Sequence, residues 1–196
     1  MKNKIIIGIS GFIGSGKTTA GEYFRSLGAD FINSDWIVRD LYKKDGAGAG
    51  KISSFLGEEF LTKTGSVDRG KLAKFVFNNI KKLTILNSLI HPLVFTETRN
   101  LISKSRVRII FVEAVYFKNN HLGGIIDGLL FVGSSKSNII RRAVKGGKYD
   151  RCLLEKILKI QKRPKNVDWT VRNDSDIASL KVRLQKVWHK INKLRD

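Results

Sequence analysis

The chain has 196 residues, of which 42% are hydrophobic, so it is long enough for one domain with a hydrophobic core and is not a wholly disordered protein. Its net charge of +20 indicates an anionic ligand or partner, which could be nucleic acid, anionic lipid or a phosphate-rich small molecule. The single cysteine, Cys152, excludes an internal disulfide and a cysteine-built zinc site, and the lack of a membrane-length apolar run or signal peptide favours the cytoplasm.

Short apolar segments alternate with helical patterns, which predicts an α/β fold with a central parallel sheet flanked by helices. A first strand at residues 5–9 precedes a glycine-rich turn and a helix of about residues 17–27. A second strand at 30–33 leads to a helix that opens near Asp35. The glycine and alanine stretch 46–50 follows, and we expect it to be a flexible joint between lobes.

Residues 51–105 have helical periodicity without a convincing strand, which predicts a helical sub-domain in which Pro92 opens a helix at its first turn. Further strands are predicted at 107–112, 129–132 and 167–172, the last after a basic helical stretch. Residues 136–165 of that stretch carry 11 basic and 2 acidic side chains. The final helix is expected to pack one face on the core, through Ile177, Leu180, Leu184, Val187, Trp188, Ile191 and Leu194.

The strongest motif lies between the first strand and the first helix. Residues 11–18 match the pattern G-x-x-x-x-G-K-[ST], with glycines at Gly11, Gly14 and Gly16. Such a loop points backbone N–H groups at phosphate oxygens, while Lys17 reaches the β- and γ-phosphates and the Thr18 hydroxyl can ligate Mg²⁺. We therefore expect the chain to bind a nucleoside triphosphate.

Several classes of protein use such a loop. The chain has no Asn/Thr-Lys-x-Asp segment of the kind that reads guanine, and it is short for a helicase or motor. A small chain with a helical insertion better suits a kinase that closes over a small acceptor, because water must be kept from the transferring phosphoryl group. Small-molecule kinase is the leading hypothesis.

Two side chains after the second strand are candidates for the acceptor side. Asp35 lies at the sheet edge where α/β folds place ligands, and its carboxylate could take a proton from an attacking hydroxyl or hold a Mg²⁺-bound water. Its carboxylate could also cap the helix, and the two roles are compatible. Arg39, one turn later, could hold an acceptor phosphate or be a solvated surface charge.

Four separated segments carry recognisable patterns: Gly8–Thr19 with the glycine loop, Ser34–Tyr42 with Asp-x-Ile-x-Arg, Gly65–Leu72 with Asp-Arg, and Leu86–Pro92 with His-Pro. Together these segments resemble the dephospho-coenzyme A kinase family, whose members phosphorylate the ribose 3′-hydroxyl of dephospho-CoA. The likeness covers most of the chain, and the series is far more specific than the glycine loop alone.

The resemblance implies a P-loop kinase fold and roles for particular residues. ATP would be bound by Gly11, Gly14, Ser15, Gly16, Lys17, Thr18, Thr19 and, near the adenine, Asn173. Asp35 would activate the 3′-hydroxyl, with Lys17 and Arg141 neutralising phosphate charge. Arg39, His91 and, more weakly, Arg69 would contact dephospho-CoA, although His91 could simply end a helix and Arg69 could be a surface residue. Glu113, after an apolar strand, could orient Mg²⁺ water with Thr18.

The chain also departs from the family pattern. Asn33 stands where the family has the first Asp of Asp-Ala-Asp, and we expect Asp35 alone to suffice. The segment Glu113–Asn119 lacks the Pro and terminal Glu of the family, so the acceptor-facing loop must differ. Lys145-Gly146-Gly147 stands in place of Arg-Asp-Gly in the lid.

The expected organisation is one kinase domain. Residues 1–45 and 106–196 would form the nucleotide-binding core, with a basic helical lid at about 134–165, and 46–105 would form the acceptor lobe. Dephospho-CoA is the expected partner, with no membrane, nucleic acid disfavoured and a monomer or weak oligomer. Two alternatives stay open: a nucleoside or nucleotide kinase with another acceptor, and a non-catalytic nucleic-acid-binding protein gated by nucleotide.

Overall fold

The computed structural model describes residues 4–76, 79–113, 124–145 and 151–194. The chain divides into two compact units, one made of Met1–Ile32 with Ser105–Asp196 and the other of Asn33–Lys104. The second unit therefore begins at Asn33, where the sequence pattern had suggested residue 46. The difference arises because the helix after the second strand packs with the helices that follow it.

The described part of the chain contains the strands β1 (Ile5–Gly11), β2 (Asp30–Asn33), β3 (Ile109–Glu113), β4 (Gly128–Gly133) and β5 (Trp169–Arg172). They form one sheet in the order β2-β3-β1-β4-β5, in which β1 pairs in parallel with β3 and β4, and β4 pairs in parallel with β5. The predicted sheet is thus confirmed, and β1 lies at its centre. In register, Ile9 of β1 lies between Glu113 and Leu130.

The described residues of the first unit include the helices α1 (Lys17–Ser26), α6 (Lys136–Lys145), α7 (Arg151–Ile160) and α8 (Ile177–Asn192). Its core packs α1 and α8 on the sheet, where the rings of Phe24 and Phe111 stack with centroids 4.0 Å apart. The predicted apolar face of α8 is buried at Leu180, Leu184, Val187 and Ile191. The buried face is shorter than predicted, because Ile177 and Leu194, at the two ends of the predicted face, are 63% and 38% exposed.

The second unit is helical, as its sequence periodicity predicted. It contains α2 (Ser34–Leu41), α3 (Ala47–Leu56), a 3-10 turn (Glu58–Phe60), α4 (Arg69–Val76) and α5 (Ile80–Lys104). The long helix α5 contacts α2, α3 and α4 and so forms the centre of this unit.

The glycine and alanine stretch at 46–50 is not a flexible joint. Most of it is the first turn of α3, which begins at Ala47. A Cβ on Gly48 would lie 2.8 Å from the Leu41 carbonyl oxygen, and one on Gly46 would collide with the same oxygen. These glycines let α3 approach the end of α2 closely, so the stretch is small-residue packing and not a linker.

Pro92 does not open a helix. It lies inside α5, twelve residues after the helix begins at Ile80. Because proline has no N–H, the Ser88 carbonyl cannot receive the usual hydrogen bond from position 92. Pro92 is exposed, and the helix is held by the packing of its buried residues Ile90, Val94 and Ile102.

Of the helices that the structure describes, none combines the length and the apolar character that crossing a bilayer requires.

Candidate active site

The glycine-rich loop joins the end of β1 to the start of α1, in the strand-then-helix context that the motif requires. Gly14 and Gly16 have φ angles of +69° and +100°, which side-chain-bearing residues rarely adopt. A Cβ on Gly11 would collide with the Val132 carbonyl oxygen. All three motif glycines are therefore needed for the shape of the loop.

Hydrogen bonds inside the loop hold its charged side chain in place. The Phe12 carbonyl accepts from the Ser15 N–H and from the Lys17 ammonium, both at 3.1 Å. Lys17 is only 8% exposed, and the Ser15 hydroxyl is fully buried without a hydrogen-bond partner in the described part of the chain. Phosphate oxygens would satisfy both groups, so the loop fits a phosphate chain.

Asn173, directly after the edge strand β5, connects the loop to that edge of the sheet through hydrogen bonds. Its side-chain NH₂ donates to the Ser15 carbonyl over 2.8 Å, and its backbone N–H donates to the Gly133 carbonyl over 2.7 Å. A Cβ on Gly16 would collide with this side-chain nitrogen. Asn173 thus orients a loop peptide.

Thr18 and Glu113 meet beside the loop. Thr18 begins the exposed side of α1, and its hydroxyl donates to Glu113 Oε2 at 2.9 Å. Glu113 is the last residue of β3 and is only 6% exposed. Since the hydroxyl hydrogen is used, the lone pairs of Thr18 Oγ1 are available, and a hydroxyl with a carboxylate is the hard oxygen donor set that suits Mg²⁺. Thr19, next on α1, is exposed.

A pair of helices covers the other side of the loop. Phe12 and Ile13 pack against a buried cluster of α6 and α7 that contains Ile139, Ala143, Leu154 and Leu158. The Ile13 N–H donates to Gln161 Oε1, just beyond α7, over 2.9 Å. The segment expected to be a lid therefore rests directly on the loop.

Arg141 is oriented by a chain of side chains. Its guanidinium donates to Asn138 Oδ1 over 2.8 Å, and the Asn138 NH₂ group donates to the backbone oxygen of Asp174, at 3.2 Å, and to its carboxylate, at 3.4 Å. Because a carboxylate only accepts, the Asn138 amide must direct its oxygen at Arg141.

Asp174 is the fixed end of that chain. Its carboxylate accepts from the Ser135 N–H at 2.7 Å, from the Ser134 hydroxyl at 3.1 Å and from Arg172 at 2.9 Å. The Ser135 hydrogen bond, together with those of Asn138, Ser134 and Arg172, lowers the pKa of Asp174 below its usual range. The carboxylate therefore stays ionised and fastens the start of α6 to the end of β5.

The acceptor candidates lie in the second unit. Asn33, 4% exposed, caps α2 by accepting from the backbone N–H groups of Asp35, at 2.8 Å, and Trp36, at 3.3 Å. The cap is therefore Asn33 and not Asp35, whose carboxylate is exposed in the first turn of the helix. Trp36 beside it is 37% exposed.

Arg39, Arg69 and His91 are also exposed in this unit, on α2, α4 and α5. Burial raises the pKa of the Tyr42 phenol at the end of α2, and the positive charge of Arg69 opposes that rise. Arg69 thus lies near the helix that carries Asp35 and Arg39, although sequence spacing had left its role weak. His91 lies in the middle of α5 and does not end a helix.

Two departures noted in the sequence fall largely outside the described residues: positions 114–119 of the segment after β3, and Gly146 and Gly147 of the lid. Sequence reasoning missed Asn138, Asp174 and Gln161 as members of the site. Short polar residues just after a strand were a usable signal for Asp174, whereas nothing in the local sequence marks Gln161.

Comparison with known proteins gives a consistent result. The model of the family described as dephospho-CoA kinase matches residues 5–179. A dephospho-CoA kinase of Mannheimia succiniciproducens is 33% identical over 178 residues, which are 88% of this chain and 83% of that protein. One of Fusobacterium nucleatum is 33% identical and covers 90% of this chain and 93% of its own.

Solved structures agree with the fold. The structure of TT1252 from Thermus thermophilus superposes with a TM-score of 0.79 at 25% identity, covering 96% of this chain and 98% of that one. A dephospho-CoA kinase from Campylobacter jejuni has a TM-score of 0.63 at 23% identity, covering 96% and 97%. A shikimate kinase from Bacteroides thetaiotaomicron shares the fold alone, with a TM-score of 0.56 at 14% identity over 96% and 98%.

Proposed function

The chain belongs to the dephospho-CoA kinase family, and from that membership we propose which of its residues carry out the reaction. The family transfers the γ-phosphoryl group of ATP to dephospho-CoA, which makes coenzyme A and ADP. The observation that carries the assignment of residues is the glycine loop itself, with its buried Lys17 and the Thr18–Glu113 contact at its exit.

On the donor side, the loop binds the phosphates of ATP. Its N–H groups and the N-terminus of α1 supply partial positive charge, and Lys17 exchanges its present partner, the Phe12 carbonyl, for phosphate oxygens. The buried Ser15 hydroxyl gains a hydrogen-bond acceptor in the same step. These contacts support Gly11, Gly14, Ser15, Gly16, Lys17, Thr18 and Thr19 as the nucleotide-binding residues.

Thr18 and Glu113 are the residues that would hold Mg²⁺. When bound, the ion neutralises charge on the β- and γ-phosphates. Among the described residues, no group of three or more His, Cys, Asp and Glu side chains is arranged so that it could hold a metal ion. A pair of oxygen donors is what a Mg²⁺ site needs when phosphates and water supply its other ligands. Glu113 holds the Thr18 hydroxyl so that its oxygen lone pairs point away from the carboxylate.

On the acceptor side, Asp35 is the proposed general base. Its exposed carboxylate takes the proton of the ribose 3′-hydroxyl while that oxygen bonds to the γ-phosphorus, and the bond from phosphorus to the ADP oxygen breaks. Asn33 caps α2, and this helix places Arg39 one turn after Asp35. Arg39, Arg69 and His91 supply the donors for the anionic acceptor.

The lid contributes Arg141. The transferred group carries dispersed negative charge in the transition state, and a guanidinium held in advance stabilises it at no reorganisation cost. Asn138 and Asp174 hold Arg141 before ATP arrives, so they are positioning residues. Asn173 fixes the loop through the Ser15 carbonyl, and its role near the adenine stays a prediction from the family pattern.

The remaining features stay predictions. We place both units in one kinase domain, in the cytoplasm, acting as a monomer or weak oligomer.

The test is incubation with Mg-ATP and dephospho-CoA, with coenzyme A detected by mass and ADP by a coupled assay. Wild-type protein is expected to form both products in equal amounts. Asp35→Asn is expected to lose turnover at least about 100-fold while ATP still binds. Lys17→Met is expected to lose turnover by a similar factor. Near-normal turnover by Asp35→Asn would remove it as base, and product formation only with a nucleoside acceptor would change the substrate.

A further inference from the structure

A cationic cleft in the first unit contains no residue of the phosphate loop in its lining. It lies between β5 and α8 and has a volume of about 460 Å³. Its lining combines four cations with one carboxylate, one hydroxyl and two apolar side chains: Arg172, Arg183, Lys186, Lys190, Asp174, Thr170, Val171 and Val187. We propose that this cleft binds the phosphate backbone of a nucleic-acid duplex without reading its sequence.

Three of these cations form a ridge along α8, made of Arg183, Lys186 and Lys190. Their spacing of three and four residues places them on one face of the helix. That face adjoins the buried face that carries Leu184 and Ile191, and the three side chains line the cleft. The ridge is about 10 Å long at 1.5 Å per residue. Measured along the axis of a duplex, one strand carries about three phosphates over that length.

The guanidinium groups at the cleft are held in place. Arg183 donates to the Arg172 carbonyl over 2.6 Å, and Arg172 pairs with the Asp174 carboxylate at 2.9 Å. The acidic groups nearby are already engaged, because Asp174 fastens the start of α6 and Asp176 accepts from the Ser179 N–H as the cap of α8. The lining carries four cations and the ionised Asp174 carboxylate, so its net charge is +3.

The family's activity gives the ridge no role. The matched family model ends at residue 179, before Arg183, Lys186 and Lys190. No residue of the loop at 11–18 lines the cleft either. The ridge accounts for part of a charge of +20 that exceeds what ATP and dephospho-CoA require.

The side chains that line the cleft also favour contacts with the phosphate backbone of a nucleic acid over contacts with its bases. The described residues that line the cleft include no aromatic side chain. Proteins that grip single strands usually stack bases on aromatic rings, whereas phosphate contacts alone give binding that is independent of sequence. A rigid helix with regularly spaced cations suits the regular phosphates of a duplex.

The test is fluorescence anisotropy with a labelled mixed-sequence DNA duplex of about 20 base pairs, titrated between about 50 and 200 mM KCl. The ridge variant is Arg183→Gln with Lys186→Gln and Lys190→Gln. The matched control removes the same charge from exposed lysines of the second unit, as Lys44→Gln with Lys63→Gln and Lys74→Gln. Thermal unfolding confirms that each variant is folded, independently of any kinase assay.

Wild-type protein is expected to show a slope of log affinity against log salt of about −2.7, from phosphate contacts of the three ridge cations. The ridge variant is expected to lose most of that slope and at least about 10-fold in affinity at 100 mM salt, and the control to lose less than about 1 in slope. Equal losses in the two variants would overturn the proposal, as would no duplex binding by the wild type. Ridge-dependent binding to inorganic polyphosphate or phosphatidylglycerol vesicles but not to the duplex would overturn it as well.

Discussion

The hydroxyl of Thr18 donates to the Glu113 carboxylate over 2.9 Å, and through this contact the exit of the phosphate loop is held against the carboxyl end of the neighbouring strand. The two residues are 95 positions apart in sequence. Strand order brings them together, because β3 lies next to β1 in the sheet.

Glu113→Gln keeps the size of the side chain and an acceptor oxygen but removes its charge. We expect kcat to fall about 100-fold, with half-maximal activity shifted to higher Mg²⁺, because the magnesium-side oxygen donors are weakened. Steady-state rates across a Mg²⁺ titration measure both effects. Glu155→Gln, which removes an exposed carboxylate paired with Arg151, is the control and should leave both values unchanged. An unaltered Mg²⁺ dependence in Glu113→Gln would speak against the proposed site.

Asn138 should act only through Arg141. Asn138→Ala and Arg141→Ala are each expected to lower kcat about 10-fold or more, and the double variant should be no slower than Arg141→Ala alone, because the two side chains form one unit. Asn138→Gln keeps the amide and should recover part of the rate. Additive losses in the double variant would show that Asn138 acts independently of Arg141.

Asp174 should make stability depend on acid pH. Its pKa is lower in the folded protein than its ordinary value of 3.8, so the ionised form favours folding. This contribution is complete above pH about 5 and is lost as the pH falls through 3.8 toward the folded-state value. Asp174→Asn should therefore unfold at lower urea concentration at pH 7 and differ progressively less from the wild type below pH 4. A constant difference across that range would contradict this origin.

Sequence patterns predicted what depends on local order. The loop at 11–18 and the strand–helix alternation follow from glycine spacing and periodicity, and the family pattern added Arg141 and Asn173. The features that the sequence patterns missed depend on contacts with residues outside the local pattern. The Gly46–Gly50 stretch looks flexible until the Leu41 carbonyl is placed beside it, and Asp174 looks like a turn residue until Ser135 and Asn138 surround it.

Asn33 should be replaceable by aspartate, the residue of the family pattern, without loss. Asn33→Asp keeps an oxygen that accepts from the α2 N–H groups, so stability and turnover should stay close to wild type. Asn33→Ala removes the cap and should cost about 1 kcal/mol in the free energy of unfolding. Urea denaturation and turnover assays of both Asn33 variants measure these effects. A large gain in turnover for Asn33→Asp would mean that Asp35 needs a second carboxylate.

Two glycines of α3 offer a matched test of close packing. Gly48→Ala should destabilise the protein by about 1–3 kcal/mol, because its Cβ would lie 2.8 Å from the Leu41 carbonyl oxygen. Gly50→Ala meets nothing within 4 Å and should stabilise by up to about 1 kcal/mol, since alanine favours helix over glycine. Denaturant unfolding of both variants measures the contrast. Equal effects would show that α3 is not packed as described.

The exposed indole of Trp36 gives the proposed acceptor side its own optical signal. The chain has three tryptophans, and the other two, Trp169 and Trp188, belong to the first unit, where they pack on its core. With both of those changed to phenylalanine, emission would come from Trp36 alone, one residue from Asp35. Dephospho-CoA could then be titrated by its effect on that emission in the absence of ATP, which separates acceptor binding from the transfer of phosphate.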